Sequence, residues 1–242
     1  HNALDANTTA SNNVAVGKDA LTANTTGHQA VAVGKGALAA NTTAHSNTAV
    51  GYNALTVNTT GTLNTGLGTF SLDANTTGDN NTAVGYAALG ENTTADNNTA
   101  VGYFALVANT TGTENVAVGK SAGAALTTGS YNTAVGASAL DVSTTGASNV
   151  AVGNNALGAN TTSSNNTAVG TDALVVNTAA NNTAVGKSAL AANTTGTSNV
   201  AVGYATLDAN TSADQNTAVG YNALTAATTG GANTAIGSQT LV

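Results

Sequence analysis

The chain of 242 residues is 41% hydrophobic, but most of those residues are Ala and Val, with two Phe and no Trp, Met, Cys or Pro. That composition argues against a bulky globular core, and the absence of Cys excludes a disulfide framework and thiolate metal sites. Four Lys against eleven acids leave a net charge of −7 with no basic cluster, which argues against nucleic acid as a partner. No apolar stretch approaches the roughly 18 residues of a membrane span, so no span is expected in this segment.

A glycine returns every 17 residues, each time closing a short apolar run such as Asn47-Thr48-Ala49-Val50-Gly51. The series is Gly17, Gly34, Gly51, Gly68, Gly85, Gly102, Gly119, Gly136, Gly153, Gly170, Gly186, Gly203, Gly220 and Gly237, with one 16-residue step after Gly170. A unit this short cannot hold a core of its own and must bury its apolar face against its neighbours. The pattern therefore predicts an all-β fold, a parallel β-solenoid or β-roll of about fourteen 17-residue coils. It fills residues 1–242 as one continuous repeat array. Because it opens at His1 in mid-repeat without Met, it reads as an excerpt of a longer fibre.

Within a coil, taken from Thr48 onward, alternation of side chains predicts a first strand at 48–50 and a second at 54–58. Gly51-Tyr52-Asn53 and Asn58-Thr59-Thr60-Gly61 supply the bends between them. Further along, Gly66 and Leu67 replace the usual Ala-Val, and Ser71 replaces the usual Ala. After Gly119 the expected Leu is Gly123, with Leu126 three residues on, which predicts an irregular coil there. Asn47, Asn64, Asn81, Asn98, Asn115, Asn132, Asn149 and Asn166 form a row able to hydrogen-bond from coil to coil, with Ala30 the exception. The Thr25, Thr42, Thr59 row reads as structural.

Charge maps the surface. All four lysines, Lys18, Lys35, Lys120 and Lys187, follow a repeat glycine, in a slot filled elsewhere by Tyr52, Tyr86, Tyr103, Tyr204 and Tyr221. The acids occupy a few other slots, and the strand, the Ala-Leu pair and the Asn-Thr-Thr run carry none. Both strand faces are therefore expected to be buried. The branched side would meet Leu55-type residues of the same chain, and the smooth Ala/Gly side would meet another chain. On that map Val118→Asp should disrupt stacking and Lys120→Ala should be nearly silent.

At Asn115-Val116-Ala117-Val118-Gly119 and Asn199-Val200-Ala201-Val202-Gly203 the chain resembles the head repeats of trimeric autotransporter adhesins, and related motifs occur in phage-tail-type fibres. The resemblance implies a left-handed parallel β-roll with three chains about one axis, hence a homotrimer. The family's usual spacing is about 14 residues, so the longer period here implies a longer turn.

No catalytic grouping emerges, and the chain is expected not to be an enzyme and to use no cofactor or metal. His1, His28 and His45 are the only histidines, and the last two share one connector slot. A metal pair there lacks a recurring third ligand. The candidate ligand-contact residues are the aromatic stripe Tyr52, Phe70, Tyr86, Tyr103 and Phe104, suited to sugars or protein surfaces. Asn7, Asn24, Asn41, Asn58, Asn75, Asn92, Asn109, Asn160, Asn193 and Asn210 each open an Asn-x-Thr or Asn-x-Ser glycosylation signal, which makes a glycoprotein conceivable. The function expected is a structural and adhesive fibre segment, extracellular or at a cell surface. Its partners would be copies of itself, as a trimer or filament, and a host surface, matrix or glycan. Coils at about 4.8 Å would give a rod of roughly 67 Å. The alternative is an ice-binding β-solenoid using Thr rows, against which the adjacent Thr-Thr counts, since strand neighbours point to opposite faces.

Overall fold

The computed structural model describes residues 2–241, which divide into two compact units between Val118 and Gly119. The first holds seven strands: β1 (Val14–Val16), β2 (Val31–Val33), β3 (Thr48–Val50), β4 (Thr65–Leu67), β5 (Thr82–Val84), β6 (Thr99–Val101) and β7 (Val116–Val118). The second also holds seven: β8 (Thr133–Val135), β9 (Val150–Val152), β10 (Thr167–Val169), β11 (Thr183–Val185), β12 (Val200–Val202), β13 (Thr217–Val219) and β14 (Thr234–Ile236). In each unit, successive strands pair parallel and in register, one per coil, as with Thr48 beside Thr65 and Thr167 beside Thr183. The fold is the all-β parallel solenoid of 17-residue coils that the glycine period implies.

The second strand expected at 54–58 does not form. Asn53 and Leu55 have φ of 52°, in the left-handed region, where an extended strand cannot continue. The chain turns there instead, and its backbone groups still bond along the stack. Asn53 N–H donates to the Lys35 carbonyl and Leu55 N–H to the Ser71 carbonyl, both at 3.0 Å. A bulky residue with positive φ is strained; full burial of the Leu55 side chain offsets that strain.

The core runs down the inside of each coil and is small. In the first unit Ala49, Ala54 and Leu55, with their counterparts Ala83, Ala88 and Leu89, are inaccessible to solvent. In the second, Ala151, Ala156 and Leu157 repeat the arrangement. The strand's Ala therefore faces inward and its Val and Thr face outward, the reverse of the expected orientation. Space explains it: a Cβ added to Gly66, at the inward strand position, would already lie 3.4 Å from Leu55 Cδ1. A branched residue has no room there, whereas Ala fills the gap. Val118, expected inside, is 38% exposed beside fully buried Ala117.

The period-defining glycine is explained by its stack. Gly51 has a φ of 143°, and a Cβ on it would fall 2.6 Å from the Gly68 carbonyl carbon. No other residue fits. The coil after Gly119 keeps a regular backbone despite its altered sequence. Gly123 takes the left-handed Leu position with φ 58° and donates to the Ala139 carbonyl at 2.9 Å, while Leu126 enters the interior three residues later. The 16-residue step loses its residue in the Asn177-Thr178-Ala179 turn, leaving the β10–β11 register intact.

Candidate functional site

Two polar ladders line the interior. In the first, Asn47 Oδ1 accepts from the Asn64 backbone N–H at 2.9 Å, and Asn64 Oδ1 does the same for Asn81. The Asn47 amide donates to the Gly61 carbonyl at 2.7 Å, closing its own coil. The second ladder is made by the Asn of the glycosylation signals. Asn41 Nδ2 donates to Asn24 Oδ1 at 2.9 Å, Asn75 to Asn58 at 2.8 Å, Asn92 to Asn75 at 2.9 Å and Asn109 to Asn92 at 3.0 Å. Each also bonds the carbonyl three residues on, as Asn75 does to Gly78 at 3.0 Å. The Thr row is structural: Thr25 Oγ1 donates to the Thr42 carbonyl at 3.1 Å and Thr59 Oγ1 to that of Thr76 at 3.1 Å.

These bonds bear directly on glycosylation. Asn24, Asn41, Asn58, Asn75, Asn92, Asn109, Asn160, Asn193 and Asn210 are fully buried, and the amide nitrogen that would carry a sugar is already a donor inside the coil. A glycan at any of them requires an open coil. Asn7 is the exposed member of the set. Sequence reasoning missed this second ladder, although its signal was present, since the Asn that opens each Asn-Thr-Thr run returns at one place in the 17-residue period.

On the outside, the strand residues form an uncharged apolar face. In the first unit it consists of Thr48, Thr65, Thr82 and Thr99 in one rank and Val50, Leu67, Val84 and Val101 in the next, half-buried to exposed. In the second, Val150, Thr167, Thr183 and Val200 stand beside Val152, Val169, Val185 and Val202.

The aromatic candidates come together in the first unit. Tyr52 and Phe70 meet edge-on at 5.4 Å between ring centroids, Phe70 and Tyr86 edge-on at 6.0 Å, and Tyr86 stacks on Tyr103 at 5.5 Å. Phe104 lies 4.2 Å from Tyr103 and 5.5 Å from Tyr86, and Lys35 Nζ sits 5.4 Å over the Tyr52 ring. The three Tyr are exposed and the two Phe half-buried. Only Tyr86 and Tyr103 lie face to face, and the other contacts of the cluster are edge-on or tilted. The cluster is a mutually packed aromatic patch whose rings differ in orientation and so do not form one flat platform.

The connector slot is a row of acceptors. His28 Nδ1 accepts from Ser11 N–H and His45 Nδ1 from His28 N–H, both at 2.9 Å, while Asp79 Oδ1 accepts from the Thr62 backbone N–H and hydroxyl. The imidazoles of His28 and His45 stack at 5.3 Å and 6°. Parallel rings so spaced hold equivalent nitrogens farther apart than the roughly 4 Å that two zinc–nitrogen bonds can span. His1 lies outside the described residues. Among those described, no three His, Cys, Asp or Glu gather as a metal site and no cavity opens.

Two carboxylates are displaced in opposite directions. Asp73 is pushed up to about 6, first by burial and further by the nearby Glu91 charge. Asp214 is held below its ordinary value by the Thr197 backbone N–H and hydroxyl. Comparison of the chain with known protein families, with curated proteins and with solved structures finds no match in any of the three.

Proposed function

We propose that this chain is a segment of a structural and adhesive fibre, displayed at a cell surface or outside the cell, with no catalytic role. The observation that carries the reading is the Val/Thr face, which repeats once per coil and bears no charge, while every ionised side chain lies in another slot. Extended exposed apolar faces of this kind mark association surfaces. Copies of the chain fit it best, because identical ranks at one pitch can meet coil by coil. The head repeats of trimeric autotransporter adhesins, and phage-tail-type fibres, make a homotrimer the assembly to expect, with a longer filament as the variant. A host surface, matrix component or glycan would then meet the outward slots, with the Tyr52, Phe70, Tyr86, Tyr103 and Phe104 cluster as the contact.

Sedimentation and native mass measurement test the assembly. Three chains per particle are expected, and Val84→Glu with Val101→Glu should release single chains that keep the β-sheet signature of the coils. A single-chain particle for the unaltered protein would overturn self-association. A second reading, ice binding, gains from the Thr48, Thr65, Thr82 and Thr99 rank, which alternates with Val on one outward face and so avoids the objection raised by adjacent threonines. Thermal hysteresis that disappears on changing these four Thr to Lys would favour it over the fibre.

A further inference from the structure

Tyr86 and Tyr103 in the first unit, and Tyr204 and Tyr221 in the second, form two separate pairs with the same geometry. Their ring centroids are 5.5 Å apart in both cases, with interplanar angles of 16° and 13°. All four rings reach solvent, at 44%, 48%, 48% and 51% exposure. The cause is the coil period: each pair occupies the slot after the repeat glycine in adjacent coils, so the phenols point the same way. The chain contains no Cys, Met or Trp, which leaves tyrosine as its readily oxidised side chain. It also contains no Cys and hence no disulfide, so no side-chain cross-link of that kind ties one coil to the next.

We infer that these pairs are sites of oxidative tyrosine coupling, forming a dityrosine bond between adjacent coils of one chain. The co-reactant is a peroxidase-type one-electron oxidant working with hydrogen peroxide. Each phenol gives up one electron and its hydroxyl proton, and the two radicals join through the ring carbons ortho to oxygen. Each coupled carbon then loses its hydrogen as the ring regains aromaticity and the phenol hydroxyl re-forms. Two electrons and two protons leave the pair in all, and one hydrogen peroxide becomes two waters. The bond would staple a 17-residue loop, the kind of closure that restricts the unfolded chain.

The molecule carries its own control. Tyr131 is the most exposed tyrosine, at 59%, and no ring lies against it. The test is oxidation of the full native chain with horseradish peroxidase and hydrogen peroxide, followed by trypsin and mass spectrometry. Cleavage at Lys35, Lys120 and Lys187 separates the first pair, Tyr131 and the second pair into peptides 36–120, 121–187 and 188–242. The expected result is loss of two hydrogens from the first and third peptides, with dityrosine fluorescence, and an unchanged middle peptide. Tyr103→Phe should abolish the loss in peptide 36–120 alone, and Tyr221→Phe that in 188–242 alone. The same oxidation in denaturant should remove this selectivity. Coupling of Tyr131 as fast as the pairs, or absence of dityrosine in both paired peptides while free tyrosine couples, would overturn the inference.

Discussion

The two units build the same coil on different interiors. In the first, the Asn-x-Thr ladder is continuous from Asn7 through Asn24, Asn41, Asn58, Asn75 and Asn92 to Asn109. In the second, that slot holds Leu126, Ser143, Asn160, Asn177, Asn193, Asn210 and Ala227, and side-chain links run only from Asn177 to Asn193 and on to Asn210. Asn160 Oδ1 is left buried without a partner. Yet the strands, the left-handed Leu and the glycine stack are the same in both units. The coil is therefore set by backbone bonds, Ala and Leu packing and the glycines, while the amide ladder adds to a shape already determined.

The shared elements should be the hardest to alter. Gly51→Val places a side chain against the Gly68 backbone at a φ only glycine tolerates, and should cost at least about 3 kcal/mol in denaturant unfolding. Leu89→Ala and Leu190→Ala should each cost about 2–5 kcal/mol and match one another; a clear inequality would mean that the ladder, not the apolar core, dominates one unit.

The ladder itself should separate the units. Asn75→Ala leaves Asn58 Oδ1 without a donor in the interior and strips Asn92 Nδ2 of one of its two acceptors, and should cost about 1–3 kcal/mol. Ser143→Ala removes only a 3.4 Å bond to the Thr161 carbonyl and should cost less than about 1 kcal/mol. Equal losses would contradict the comparison.

Acidity gives a finer probe. Asp73 binds its proton more tightly folded than unfolded, about 6 against 3.8, so its contribution falls as pH rises between those values. Asp73→Asn should raise the melting temperature at pH 7 and flatten that decline, with little effect at pH 3. Asp214 is shifted the other way, so its contribution is present above the ordinary carboxylate range and fades as pH drops. The smallest effect belongs to Lys120→Ala, within about 0.5 kcal/mol.

The period made the coil, its length and the exposed Tyr/Lys slot legible in the sequence. Facing was not legible, because Thr-Ala-Val alternates equally well either way round. Only the cramped interior, with Leu55 a Cβ contact away from the strand, decides that Ala49 turns inward. The left-handed backbone at Asn53 and Leu55 was not legible either, since alternation there imitates a strand while Leu gives no hint of positive φ. The aromatic row was legible in the period, but its mixture of stacked and edge-on contacts depends on side-chain rotamers that the period does not specify.

One consequence concerns inheritance. In the Thr59 and Asn64 rungs each side chain bonds to the matching residue one coil away. Duplicating or excising a whole coil of DNA-encoded sequence would hand every donor an acceptor of the same kind. Slippage during replication could thus lengthen or shorten such an array without passing through a broken protein, and natural relatives should differ in copy number more readily than in the content of any copy.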